Sequence, residues 1–209
     1  MYALVESGSI TKIFSNPKGF VLNSNQYPAD IFSKWTKDEK EAIGIYEVET
    51  DSTNRKDEKW YINTNESYTF SSGKVTRSWG TATAKAHADT TWSQQDSDDG
   101  NLPSDKSVGD VKVEGLKTKL IRDLKTTVAN ELAKTDWYIT RNTEKSTAIP
   151  SAISTHRDAV RTKQAEMETA ITNALDTPAL ETLHTYVNTG TEENPVMTRP
   201  LGELPILES

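Results

Sequence analysis

Apolar and polar positions change their spacing part-way along the chain. Tyr2-Ala3-Leu4-Val5 and Ile10-Thr11-Lys12-Ile13-Phe14 flank Ser7-Gly8, a hairpin signal. Tyr68-Thr69-Phe70 and Val75-Thr76-Arg77-Ser78-Trp79 flank Ser71-Ser72-Gly73 in the same way, the glycine supplying the positive φ of a tight turn. Ile45-Tyr46-Glu47-Val48-Glu49 alternates with period two, and Trp60-Tyr61-Ile62 is strand-prone. Thr36-Lys37-Asp38-Glu39 fits a capping box and Gly44 a helix stop, which predicts one short helix over 36–43. Residues 1–92 therefore read as a small β-rich docking module with one helix against its sheet.

From residue 116 the spacing is helical. Leu116, Leu120, Leu124, Val128 and Leu132 recur every fourth position and Ile121 widens the stripe, predicting an amphipathic helix about 27 Å long. Thr135 is an N-cap candidate, and Pro150 sits where a helix start tolerates proline. Ile153, His156, Val160, Met167, Ile171, Ala174 and Leu175 continue a second apolar face, and Thr177-Pro178 opens a short helix through Leu180, Leu183 and Val187. The helical module spans 111–190 and is expected to form a helical hairpin. Between the modules, residues 93–110 begin with the polar, acidic run Ser93 to Asp105, the composition of a flexible linker. Residues 191–209, with Pro195, Pro200 and Pro205 and little periodicity, read as an extended arm. The fold class is α+β, strands first and helices second.

Composition sharpens this picture. Only 34% of the 209 residues are hydrophobic and 26% are charged, so the core is modest and part of the apolar surface is expected to be completed by a partner chain. The net charge of -7, with the basic residues spread along the chain, gives nucleic-acid binding little electrostatic support. No run of about 18 apolar residues predicts membrane insertion, and the N-terminus carries no recognisable secretion signal. The absence of cysteine excludes disulfides and thiolate chemistry.

Candidate chemistry is sparse. Asp96, Asp98, Asp99 and Gly100 approximate a calcium loop, but the glycine comes one place early and no glutamate closes the loop. His87, His156 and His184 lack the spacing of a helical zinc pair, and neither phosphate-loop glycines nor a Gly-x-Ser-x-Gly elbow occurs. No catalytic, metal or cofactor-binding residue is assigned, and no cofactor is expected. The more informative cluster is Thr135 to Glu144. Trp137 can pack inward with an Arg141–Glu144 pair on the surface, or Trp137 and Tyr138 can offer an aromatic anchor to a partner.

The stretch Leu116 to Ile171, carried by Thr135-Asp136-Trp137-Tyr138, Arg141, Glu144, Ala148-Ile149-Pro150 and Arg157-Asp158-Ala159-Val160-Arg161, resembles the C-terminal helical module of phage tail-fibre assembly and tail-assembly-chaperone-like proteins. Tyr2-Ala3-Leu4-Val5 with Ser7-Gly8, and Tyr27-Pro28 to Gly44-Ile45-Tyr46, resemble N-terminal regions of proteins encoded near phage tail genes. The resemblance implies a non-enzymatic bacteriophage protein that binds tail or tail-fibre subunits, in the virion tail or in the host cytoplasm during assembly. Trp137, Tyr138, Arg141, Glu144, Arg157 and Arg161 are its candidate interaction residues. The alternatives are a self-associating ring or collar subunit, and an enzyme acting on host polysaccharide, for which no acidic pair is interpretable.

Overall fold

A computed structural model describes residues 1–207. They form a mixed α+β protein with seven helices and a β-rich N-terminal region, divided into two compact units, Met1–Thr83 and Ala84–Ser209.

In the first unit, β1 (Tyr2–Glu6) and β2 (Ser9–Phe14) form an antiparallel hairpin. Ser7 and Gly8 both take positive φ, as a two-residue turn between right-twisted strands requires. A second small hairpin, β3 (Phe20–Leu22) and β4 (Asn25–Tyr27), carries aromatics inward. Two short helices come next where the sequence predicts one. α1 (Ile31–Lys34) has no capping signature but buries Ile31 and Phe32, so packing carries it. α2 (Lys37–Ala42) has the expected box: the Glu39 amide donates to Thr36 Oγ1 at 3.3 Å and the Thr36 amide to Glu39 Oε2 at 2.8 Å. Gly44 ends it at φ +80°, with its carbonyl accepting from the Val5 amide at 2.8 Å.

The chain continues through β5 (Ile45–Thr50), β6 (Tyr61–Ile62), β7 (Ser67–Ser71) and β8 (Lys74–Ser78), and β9 (Thr83–Ala84) lies at the passage to the second unit. The main sheet has the order β2-β1-β5-β8-β7. Its pairs are antiparallel except β5–β8, which is parallel with Val48 opposite Val75. The sheet curls until β2 and β7, its two edges, have Cα atoms within 8 Å of each other. The period-two side-chain alternation of β1 therefore feeds two cores. Leu4, with Phe14 and Ile45, packs on one face against Phe20, Ile31 and Phe32; Ala3 and Val5 pack inside the curl against Val75, with Ile10, Ile13, Tyr46, Val48 and Phe70 around them.

In the second unit the segment expected as a flexible linker is folded. β10 (Thr90–Thr91) pairs antiparallel with β11 (Val111–Val113), closing the intervening chain into a loop that carries α3 (Gln94–Asp98). Ser93 and Asp96 form a capping box, and Lys112 Nζ reaches Asp96 Oδ1 at 2.6 Å. The division between units falls at 83/84 rather than at 92/93, because residues 84–110 are tied to the start of the next long helix. The amides of Leu116 and Lys117 donate to the carbonyls of Ala86 and His87. Asp89 accepts from the Gly115 amide at 2.7 Å and from Thr118 Oγ1 at 2.8 Å, capping that helix from outside.

The helix so capped, α4 (Leu116–Ala133), packs on α6 (Ser151–Asn173), with α5 (Asp136–Lys145) between them in sequence and α7 (Thr177–His184) after. Leu116, Leu124 and Val128 of α4 are buried, as is the expected α6 face. The exception is Leu175, 86% exposed: α6 has already ended at Asn173 and Asp176 caps α7, leaving Leu175 in the connector.

The C-terminal segment is more than an extended arm. β12 (Val187–Asn188) pairs antiparallel with β13 (Met197–Thr198), and Leu201 is buried with its amide on the Leu183 carbonyl. Pro205, Ile206 and Leu207 line a groove along the first turns of α6. Residues 208–209 of the expected arm lie outside the described residues.

Candidate functional site

The sequence cluster 135–144 sits at the junction of α4, α5 and α6, and a buried cation fixes it. Arg157 Nη1 donates to the Leu132 carbonyl at 2.7 Å and to Thr135 Oγ1 at 2.7 Å, and pairs with Asp136 Oδ1 at 2.9 Å. It thus adds a charged donor to a carbonyl at the end of α4 that also accepts from the Thr135 amide at 3.1 Å, and holds the first residue of α5. Thr135 occupies the N-cap position but does not cap with its side chain; its hydroxyl donates to Leu132 O at 3.0 Å and accepts from Arg157. Beside it, buried His156 places Nε2 3.4 Å from Glu131 Oε1. Lys134, then the nearby His156, holds the Glu131 carboxyl below its ordinary range. Arg157 is only 7% exposed. It is therefore not a surface contact, correcting its assignment as an interaction residue: a buried guanidinium with three partners positions α5 rather than meeting another chain.

What α5 presents outward is aromatic. The Trp137 and Tyr138 rings lie with centroids 3.8 Å apart, and the Arg141 guanidinium sits 5.1 Å from the centre of the Trp137 ring. Trp137 is 50% exposed although it is a large apolar side chain, and Ile139 beside it is exposed as well. Arg141 goes to the ring: no ion pair joins it to Glu144 among the described residues. Glu144 is exposed near the end of α5, and Arg161 is exposed on α6, paired with Asp158 at 3.2 Å. The structure thus brings Trp137, Tyr138 and Arg141 into one cluster, buries Arg157 and leaves Arg161 exposed beside Asp158 on α6.

Sequence reasoning missed other exposed apolar positions in the second unit. Val108, Val111 and Val113 stand out around β11, and Tyr186, Val187, Val196 and Met197 on the β12–β13 ribbon. Val111 and Val113 alternate around Lys112 with the period of a strand, and Val187, expected on the helix opened by Thr177-Pro178, lies beyond its end at His184 and in β12 instead. The outer face of α4, with Thr118, Ile121, Lys125 and Ala129, forms a further open groove.

The acidic and histidine candidates have local roles. Asp96 is held by Lys112 and Ser93, Asp98 by Gln94 and Asp99 by Gln95. Lys112 first, then Ser93, pulls the Asp96 carboxyl well below its ordinary range. His184 Nδ1 is 2.8 Å from the Leu180 carbonyl. Among the described residues no three His, Asp or Glu side chains gather as a metal site would need, and no helix is long and apolar enough to cross a membrane. No family model, no curated protein and no solved structure matches this chain.

Proposed function

We propose that this protein is a non-enzymatic binding component of a bacteriophage tail, docking onto tail or fibre subunits through its helical unit. The carrying observation is the half-exposed Trp137, clustered with Tyr138 and Arg141 on a helix that buried Arg157 holds in place. A rigid aromatic anchor loses little conformational freedom on association, and Trp, Tyr and Arg are the residue types that dominate interface energetics. The tail context rests on the resemblance of residues 116–171 to phage tail-assembly proteins. The folded loop 93–110 belongs to the same unit, and its exposed Val108, with Val111 and Val113 of β11 just after it, adds to the available surface.

The test is quantitative mass spectrometry of this chain in purified particles and in tail and fibre assembly fractions from infected cells. A fixed ratio to the major tail protein in either place is expected. A chain expressed during infection but absent from both would overturn the proposal. The self-associating alternative is favoured by one observation of its own, the ribbon at the C-terminal end of the second unit.

A further inference from the structure

We propose that the β12–β13 ribbon is a self-association surface, on which the outer edge of β13 pairs antiparallel with the same edge of a second copy about a two-fold axis at Met197. Val187 lies opposite Thr198 and Asn188 opposite Met197, and the Thr189 amide donates to the Val196 carbonyl at 2.8 Å. In an antiparallel ladder, hydrogen-bonded and non-hydrogen-bonded pairs alternate. Thr189–Val196 is a bonded pair, so Asn188–Met197 is not, and the amide and carbonyl of Met197 point away from β12. The sheet has only two strands, so they point to an open edge.

That edge is complementary to itself. A two-fold at Met197 lets the two Met197 residues exchange both hydrogen bonds, and it sets Arg199 opposite Pro195 of the second copy. There the Arg199 amide meets the Pro195 carbonyl. The missing proline amide faces the Arg199 carbonyl, which already accepts from the Gly202 amide at 2.9 Å. No donor or acceptor is left facing nothing. The antiparallel arrangement carries the acidic tip of one ribbon, Glu192 and Glu193, toward the base of the other, where Arg199 is already paired with Glu203 at 2.8 Å, so the backbone edge and not charge carries the pairing.

The ribbon's edge is guarded by its short length and by Pro195 but not by charge. Residues 185–191 and 194–198 hold no charge in a chain that is 26% charged, whereas exposed edges are ordinarily blunted by lysine, inward charges or bulges. An isolated two-stranded ribbon is marginal in water, and pairing two gives a four-stranded sheet. Closure by a two-fold stops at the dimer. The inference is independent of the tail assignment, which particle composition tests separately.

Sedimentation velocity of the full chain from about 5 µM to about 500 µM tests it, a range suited to the weak affinity of a small interface. A concentration-dependent dimer is expected. Met197→Pro removes only an outward amide, a place where an edge strand tolerates proline, and Met197→Lys puts a charge on the edge through a side chain that is already exposed. Each is expected to raise the dissociation constant at least about tenfold, with unchanged far-ultraviolet circular dichroism showing that the helices persist. Should Met197→Pro disturb the ribbon, Met197→Lys decides alone. Val113→Lys, on the other exposed ribbon, is expected to leave the dimer intact. A strict monomer across the range, or a dimer that Met197→Lys leaves unchanged, overturns the proposal.

Discussion

The two units treat their apolar side chains differently. In the first, a curled sheet covers one face with itself and the other with two short helices and a hairpin, so β1 is buried on both sides. Its exposed large apolar residues are only Met1, Val21 and Ile62. In the second, α4 and α6 each bury one stripe against the other and leave the opposite side to solvent. Eleven large apolar residues stand exposed there among the described residues, on α5, on and beside the two ribbons, in the α6–α7 connector and at Ile206. Greater length does not account for the difference. A sheet that curls covers its own surface, whereas the helix pair leaves apolar side chains on α5 and on the two ribbons exposed, which is why the binding proposal is placed on the helical unit.

The largest expected effects probe burial in each unit. Ile45→Ala and Ile171→Ala each remove a fully buried side chain and are expected to cost about 2–5 kcal/mol, read as lost amide-exchange protection in the affected unit. If Ile171→Ala cost almost nothing, the α4–α6 contact would not be a packed core. Gly44→Ala sharpens the picture of the sheet unit. A Cβ there would lie 2.5 Å from the Val5 carbonyl oxygen, on a residue at φ +80°. The clash and the left-handed backbone together are expected to cost about 2–3 kcal/mol in chemical denaturation.

Trp137→Ala separates binding from folding. Because the ring is half exposed, stability is expected to fall by less than about 1 kcal/mol, while affinity for isolated tails or fibres falls by about 2 kcal/mol, roughly thirtyfold. A larger loss in stability than in binding would make Trp137 a packing residue. The smallest effect concerns the acidic loop. Lys112 and Ser93 depress the folded-state pKa of Asp96, so its contribution is present above the ordinary carboxylate pKa and is lost as pH falls through that range and below. Protection factors over 93–110, taken relative to the intrinsic exchange rate at each pH, are expected to fall on acidification toward pH 3, and Asp96→Asn is expected to lower them already at neutral pH.

The legible parts of the fold are those with a local physical signature. Ser7-Gly8 and Ser72-Gly73 announce turns, Thr36 and Glu39 a cap, and the fourth-residue leucines α4. The parallel β5–β8 pairing is not legible, because partner choice between distant strands is set by which faces end up covered. The loop at 93–110 reads as a linker because it is held by polar contacts and a short ladder rather than by apolar spacing, although the Ser93…Asp96 capping signal is present in the sequence. Around the candidate site, the aromatics are legible as a cluster. Arg157 reads as a surface charge because a charged residue is seldom buried, and only its place opposite the end of α4 reveals why this one is. The β12–β13 ribbon is hidden because Val187 continues the helical spacing of Leu180 and Leu183, and because Pro195 and Pro200, which mark its turn and flank, read as part of an extended arm.

The most direct test of the central claim is hydrogen–deuterium exchange of the full chain, free and bound to purified tails. The account predicts new protection within residues 84–207, strongest around α5, and none over residues 1–83. Protection gained only on the sheet unit would contradict it.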